Sequence, residues 1–308
     1  MIDFIKLQTL DNIDFENYLT NHNVVDLRTF IDHNTGEVLD YPKIGKLSNL
    51  EVRINPKHSY IKGSLHKFYN ILNLNVKQNY NDFYFCQLLF LIEHFFNVFK
   101  VEEKNSLSYL EIGVNINLDF NLQKFIDNQL LMYDYKSHNK DLKYRGKGDY
   151  KEFIKTDYNI KIYNKSKEYE LKDNILRIEL KITKKRFLQK NGIFKLEDLL
   201  IKNNLSKLFN ILINEFDKIL IIDYINELNI PQNDIEKLSM YTNPNYWQRI
   251  KDIKSYKVQS RHKRDFNFIL NKYNLLATKK IIKQKIISKF WQLLNDECEN
   301  YINSKISA

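Results

Sequence analysis

Apolar and polar residues alternate along five short stretches within the first 190 residues, and each stretch reads as a half-buried β-strand. In 50–56, Val52 and Ile54 face one way, with Glu51, Arg53 and Asn55 opposite. In 60–68, Ile61 and Leu65 oppose Lys62, Ser64 and His66. Stretch 109–117 turns Leu110, Ile112, Val114 and Ile116 inward and leaves Glu111, Asn115 and Asn117 outside. Stretch 159–165 buries Ile160 and Ile162 and presents Lys161, Tyr163 and Lys165. Stretch 175–183 buries Leu176, Ile178, Leu180 and Ile182 and presents Arg177, Glu179 and Lys181. The polar residues 167–174 join the last two as a hairpin. Between the second and third strands, 82–100 reads as a long helix apolar on more than one face, hence deeply packed. The pattern predicts an α+β fold, an antiparallel sheet with helices on its apolar face and an open polar face.

From about Leu196 onward the pattern becomes almost wholly helical, with breaks near Pro231 and Asn243-Pro244. A soft boundary at Asn191-Gly192 divides the chain into 1–191 and a helical region, 192–308, that suits DNA binding or assembly. Residues 221–241 read as two helices broken at Pro231, loosely a helix-turn-helix. Two basic helices follow, 260–270 and 278–294, the second with an apolar stripe of Ile282, Ile286, Phe290 and Leu293.

The net charge of +10 asks for an acidic partner, although 20 Tyr and 20 Phe with only 7 Gly and 4 Pro also fit A/T-rich coding DNA, which raises lysine by itself. Placement decides between the two. Residues 141–190 hold 15 Lys and Arg against 8 Asp and Glu, and residues 249–289 hold 13 against 2, while the remainder is net acidic. Two basic zones fit a phosphate-binding surface. Cys86 and Cys298 are too few for a disulfide framework or a Cys-rich metal site. No signal peptide or apolar run of about 20 residues occurs, so a soluble, cytoplasmic protein is expected, with no membrane partner.

Candidate chemistry gathers on the polar strand face. The run 150–189, with KIYNKSKE, a spacer and LRIELKI before a basic helix start, resembles the catalytic core of staphylococcal-plasmid-type rolling-circle replication initiators. Filamentous-phage nicking proteins and the wider histidine-ligated (HUH) nicking superfamily are similar more distantly. YLEIGVN resembles the family's metal-binding strand, and the likeness spans about 51–189. It implies a metal-dependent nicking endonuclease and strand transferase that links a tyrosine to a 5′-phosphate and frees a 3′-OH. By the resemblance Tyr163 is the nucleophile, and Lys161 and Lys165 favour phenolate and neutralise the phosphate. Glu111 and His66 are the implied ligands for Mg²⁺ or Mn²⁺, with Glu111 where Asp is more familiar, and Glu179 is either a further ligand or an ion-pair partner. The two-histidine motif is absent, because Lys67 and Phe68 follow His66. Arg177 is a candidate phosphate ligand, as are Arg261, Lys263 and Arg264 in the helical region.

The implied partners are origin DNA, single-stranded or as a hairpin, a host helicase and polymerase, and a second copy of the chain. The setting implied is a bacterial cell carrying a plasmid, phage or other mobile element. A second reading keeps the DNA and drops the chemistry: a repressor or single-strand binder whose aromatics stack on bases.

Overall fold

The computed structural model describes residues 1–9, 12–101, 105–138, 150–225, 229–253 and 255–296. The chain begins β1 (Ile2–Thr9), α1 (Asn12–Asn21), β2 (Lys43–Leu47), β3 (Leu50–Ile54), β4 (Ser59–Ser64), α2 (Leu65–Leu74) and α3 (Phe85–Phe99). It continues through β5 (Asn105–Asn117), α4 (Leu122–Asn128), β6 (Leu130–Tyr133), β7 (Tyr150–Ile154), β8 (Tyr158–Asn164), α5 (Lys165–Tyr169), β9 (Ile175–Ile182) and α6 (Lys185–Lys190). After a 3-10 turn at Leu196–Leu200 come α7 (Lys202–Asp217), β10 (Ile219–Ile221), α8 (Gln232–Tyr241), α9 (Pro244–Ile253), α10 (Tyr256–Lys272) and α11 (Ala277–Asn295). Part of the first basic zone, 141–149, lies outside the described residues, as do Lys254 of the second zone and 297–308 of the helical region.

The fold is α+β. Eight strands form one sheet in the order β2-β3-β4-β1-β5-β9-β8-β7, and every described pairing is antiparallel. β5 is its spine, with Leu110, Ile112, Val114 and Ile116 all buried on the apolar side. Against that side pack the apolar faces of α3, α7 and α11, and the stripe Ile282, Ile286, Phe290 and Leu293 is wholly inside. Removing each such side chain from water contributes roughly 1.5–3 kcal/mol, so a stripe of four secures α11 to the sheet. Residues on both sides of Asn191-Gly192 therefore share one core.

A second, smaller core joins α8, α9 and α10 around Leu238, Tyr241, Trp247, Phe266 and Ile269, with Met132 of β6 beneath it. The Trp247 indole donates to the Tyr241 carbonyl (2.7 Å), tying the tight α8–α9 turn. β6 and β10 pair as a two-stranded sheet.

Three elements depart from the sequence pattern. The second strand ends at Ser64 rather than running to Phe68. The Ser64 hydroxyl accepts from the Lys67 amide (3.0 Å), an N-cap that starts α2, so His66 and Lys67 are helical. The hairpin loop contains α5, capped by Asn164, which makes Lys165 the first residue of a helix rather than the last of a strand. No helix precedes Pro231 among the described residues of 221–230; β10 ends there, and the helix pair is α8 and α9. A fourth departure is an omission, because β1, central in the sheet, carries a readable Ile5, Leu7, Thr9 alternation that is broken at Asp3-Phe4.

Candidate active site

Strand register assembles the site in rows across β8, β9 and β5. Tyr163 lies opposite Arg177 and Arg177 opposite Asn115. One row along, Lys161 faces Glu179 and Glu179 faces Gly113; the next row holds Lys181 and Glu111. Gly113 has to be glycine, because a Cβ there would meet the Ile178 carbonyl oxygen at 2.3 Å and the Glu179 Cα at 2.8 Å.

β1 supplies what the pattern misses. Ile2 pairs with Ile112 and Ile5 with Leu110, so Asp3 and Phe4 together oppose Glu111. This β-bulge re-aims a side chain, here Asp3, onto the polar face. Carboxylate oxygens of Asp3, Glu111 and Glu179 then lie within 4.8 Å of one another. Three oxygen donors so close, in a largely buried setting, could hold a hard divalent cation.

The charges are consistent with that use. Burial, then the charges of Glu179 and Asp3, push the Glu111 carboxyl up to about 7, although the Tyr109 hydroxyl donates to it. Burial opposes ionisation of Asp3, but Arg177 and Lys165 outweigh it and hold the group well below the usual carboxylate range. Asp3 also accepts from the Ser64 hydroxyl and from Asn79 Nδ2 (2.7 Å). The Arg177 guanidinium is 1% exposed, with Nε donating to Glu179 (3.1 Å) and Nη1 to Asn115 (3.2 Å). Its Nη2 is buried without a hydrogen-bond partner, 3.5 Å from an Asp3 oxygen. A guanidinium N–H ion-paired with Asp3 but making no hydrogen bond, beside the tyrosine, suits an incoming phosphate oxygen.

Tyr163 is 8% exposed on the polar face. Burial, then the negative charge of Glu179, raises its phenol well above the ordinary value, and Arg177 offsets part of this. Two lysines attend the ring. Lys161 Nζ lies over it at 4.5 Å, and Lys165 Nζ reaches the hydroxyl at 3.4 Å while pairing with Glu168 at 2.8 Å. Burial lowers the Lys165 pKa, only partly offset by Asp3 and Glu168.

His66 does not join the carboxylates. Its Nε2 bonds Asn81 Oδ1 (2.9 Å), its ring stacks on Phe83 at 4.9 Å, and burial, then the nearby N-terminal charge, lowers its pKa to about 3. The helix started by Ser64 turns it toward Asn81 and Phe83, so Asp3 rather than His66 lies with Glu111 and Glu179. In the segment that holds Asn81, Asn79 bonds Asp3 and accepts from the Tyr169 hydroxyl (2.6 Å), and the carbonyls of Asn79 and Tyr80 accept from Asn115.

No family model matches the chain, and no curated relative does. Among solved structures, the chain is similar to the rolling circle replication initiator protein from Geobacillus stearothermophilus, at 10% identity and a TM-score of 0.40, over 74% of this chain and 88% of that one. A likeness that distant says nothing of function, which has to be read from this chain's own geometry.

Arg261, Lys263 and Arg264 lie elsewhere, on α10. Arg261 and Arg264 are exposed, whereas Lys263 is half-buried with its ammonium 4.2 Å from the Tyr135 ring centre. On α11 the lysines are largely engaged: Lys283 with Asp217 (2.7 Å), Lys289 with Asp82 (2.9 Å) and Lys285 with the Asn117 carbonyl (3.0 Å). Among the described residues, no helix is long and apolar enough to cross a membrane.

Proposed function

We propose that this chain is a rolling-circle-type replication initiator that nicks origin DNA with Tyr163. The observation that carries the reading is the convergence on one polar face of a tyrosine, a buried arginine with an N–H that makes no hydrogen bond, and three carboxylates. Arg177 binds a non-bridging oxygen of the scissile phosphate. The Tyr163 oxygen forms a bond to phosphorus as the bond to the 3′-oxygen breaks, leaving a 5′-phosphotyrosine and a 3′-OH. The phenolic proton leaves to solvent, the Lys165 ammonium 3.4 Å from the hydroxyl favours the phenolate, and the departing 3′-oxygen takes a proton from solvent in turn. Lys161, over the ring, favours the developing phenolate. Asp3, Glu111 and Glu179 would hold Mg²⁺ or Mn²⁺, which when bound polarises a phosphate oxygen. When bound, it would also offset the Glu179 charge that opposes phenol ionisation.

The two exposed arginines on α10 suit duplex DNA around the origin. A host polymerase would extend the 3′-OH, and the product strand would need a helicase. The soluble, cytoplasmic setting of such an activity belongs to this proposal.

The test is covalent. Incubated with Mn²⁺ and a single-stranded oligonucleotide bearing its origin, the protein should form a denaturant-resistant adduct. Tyr163→Phe should abolish the adduct while DNA affinity and melting temperature persist. An adduct on the Tyr163→Phe protein would place the nucleophile elsewhere. No adduct from the unaltered protein would leave non-catalytic DNA binding as the function.

A further inference from the structure

Beside the tyrosine site, and separate from its carboxylates, a cavity of about 640 Å³ opens between α11, the Tyr80–Asp82 segment and the C-terminal end of β5. We propose that it is a nucleotide pocket, which receives a base of the single strand adjoining the scissile phosphate; the placement rests on the nicking reading.

Three features of the cavity carry the proposal. Its volume falls in the range of small-ligand sites. Its wall is rich in neutral hydrogen-bonding groups: the side chains of Asn117, Ser288 and Gln292 are exposed and have no hydrogen-bond partner among the described residues. A carboxamide offers donor and acceptor together, the pairing by which Asn and Gln engage base edges. Tyr80 adds an aromatic wall against which a base can stack.

Cations stand at the same opening. Lys285 and Lys289 line it, and their partners Asp119 and Asp82 are solvent-accessible, with side chains 97% and 30% exposed. The Lys285–Asp119 pair, the more exposed of the two, costs little to exchange for a DNA phosphate. Among the described residues of the lining, Asp82 is the one carboxylate, and Lys289 neutralises it, so the cavity suits a nucleotide rather than a metal cation.

Position links the cavity to the chemistry. Asn115 lines it and also accepts from Arg177, which lies opposite Tyr163. The Tyr80 ring contacts that of Tyr169 at 5.1 Å, and Lys165 Nζ lies 5.1 Å from the Tyr169 ring centre. A strand with one phosphate at Arg177 therefore has its neighbouring nucleotide at the mouth of the cavity. The pocket would set which base is tolerated next to the cut.

The experiment uses the full chain and fluorescein-labelled single-stranded dodecamers of mixed sequence, some carrying 5-iodouracil. Ser288→Trp fills the cavity from an exposed helix position. Asn117→Ala combined with Gln292→Ala removes the two amides without adding bulk, and serves if the tryptophan variant fails to fold. Each should weaken single-strand affinity by about tenfold or more. Iodouracil cross-links in the unaltered protein should map to 80–82 and 285–292. Unchanged affinity in both folded variants, or cross-links confined to other segments, would overturn the pocket. Adduct formation on origin DNA is scored with the same preparations. Adduct without any pocket effect removes the pocket and keeps the nickase; a pocket effect without adduct removes the nickase and keeps a single-strand site.

Discussion

At the residue scale, the acidic trio makes a prediction whose sign follows from Glu111. The unfolded chain releases the Glu111 proton near 4.5, whereas the folded chain releases it near 7. Between these values the folded state binds more protons, so metal-free stability falls as pH rises through that window and this contribution is flat above it. Metal must displace the Glu111 proton, so the stabilisation it brings should grow over the same window. Melting curves with and without Mn²⁺ at pH about 5 and about 7.5 check this. An equal metal increment at both values would show that Glu111 is no ligand. Asp3→Asn should weaken Mn²⁺ binding by calorimetry, and His66→Gln should leave it unchanged, because Asp3 rather than His66 sits with the carboxylates.

At the scale of elements, β5 and β9 approach so closely at Gly113 that the site depends on a missing side chain. Gly113→Ala should destabilise the protein by about 1–3 kcal/mol and displace Glu179, read by urea unfolding and by Mn²⁺ affinity. On α10, Arg261 and Arg264 are exposed. Arg261→Ala with Arg264→Ala should flatten the plot of log duplex affinity against log salt by about 0.9 per lost phosphate contact. An unchanged slope would assign α10 to assembly rather than to DNA.

At the scale of the whole molecule, the helical C-terminal part is not a simple appendage. α11 places Ile282, Ile286, Phe290 and Leu293 in the same core as the sheet, and Phe290 stacks on Phe209 of α7 with centroids 3.7 Å apart. A chain cut after Tyr273 should lose cooperative thermal unfolding, measured by near-ultraviolet circular dichroism, even though every active-site residue remains. The second core around Tyr241 and Trp247 is built from α8, α9 and α10, so damage there should cost duplex binding before it costs the fold.

Strand periodicity is a local property with a period of two, and it sufficed to place Glu111, Tyr163, Arg177 and Glu179 on one face and the helices on the other. Charge counting likewise marked α10 and α11, although only packing separates exposed Arg261 and Arg264 from α11 lysines held by Asp217, Asp82 and Asn117. What the pattern did not contain was anything set by two strands together. Asp3 reaches the trio because a bulge opposite Glu111 breaks the alternation of β1, and a bulge is defined by its partner strand. His66 leaves the expected ligand set because the Ser64 cap, where the chain turns from β4 into α2, was hidden inside an alternating run. The hydrogen bonds that fix Asp3 and Asn115 come in part from Asn79 and Tyr80, which are far from both along the chain. Which side of a strand a residue takes is written in its neighbours along the chain; what it meets there depends on segments brought together only by folding.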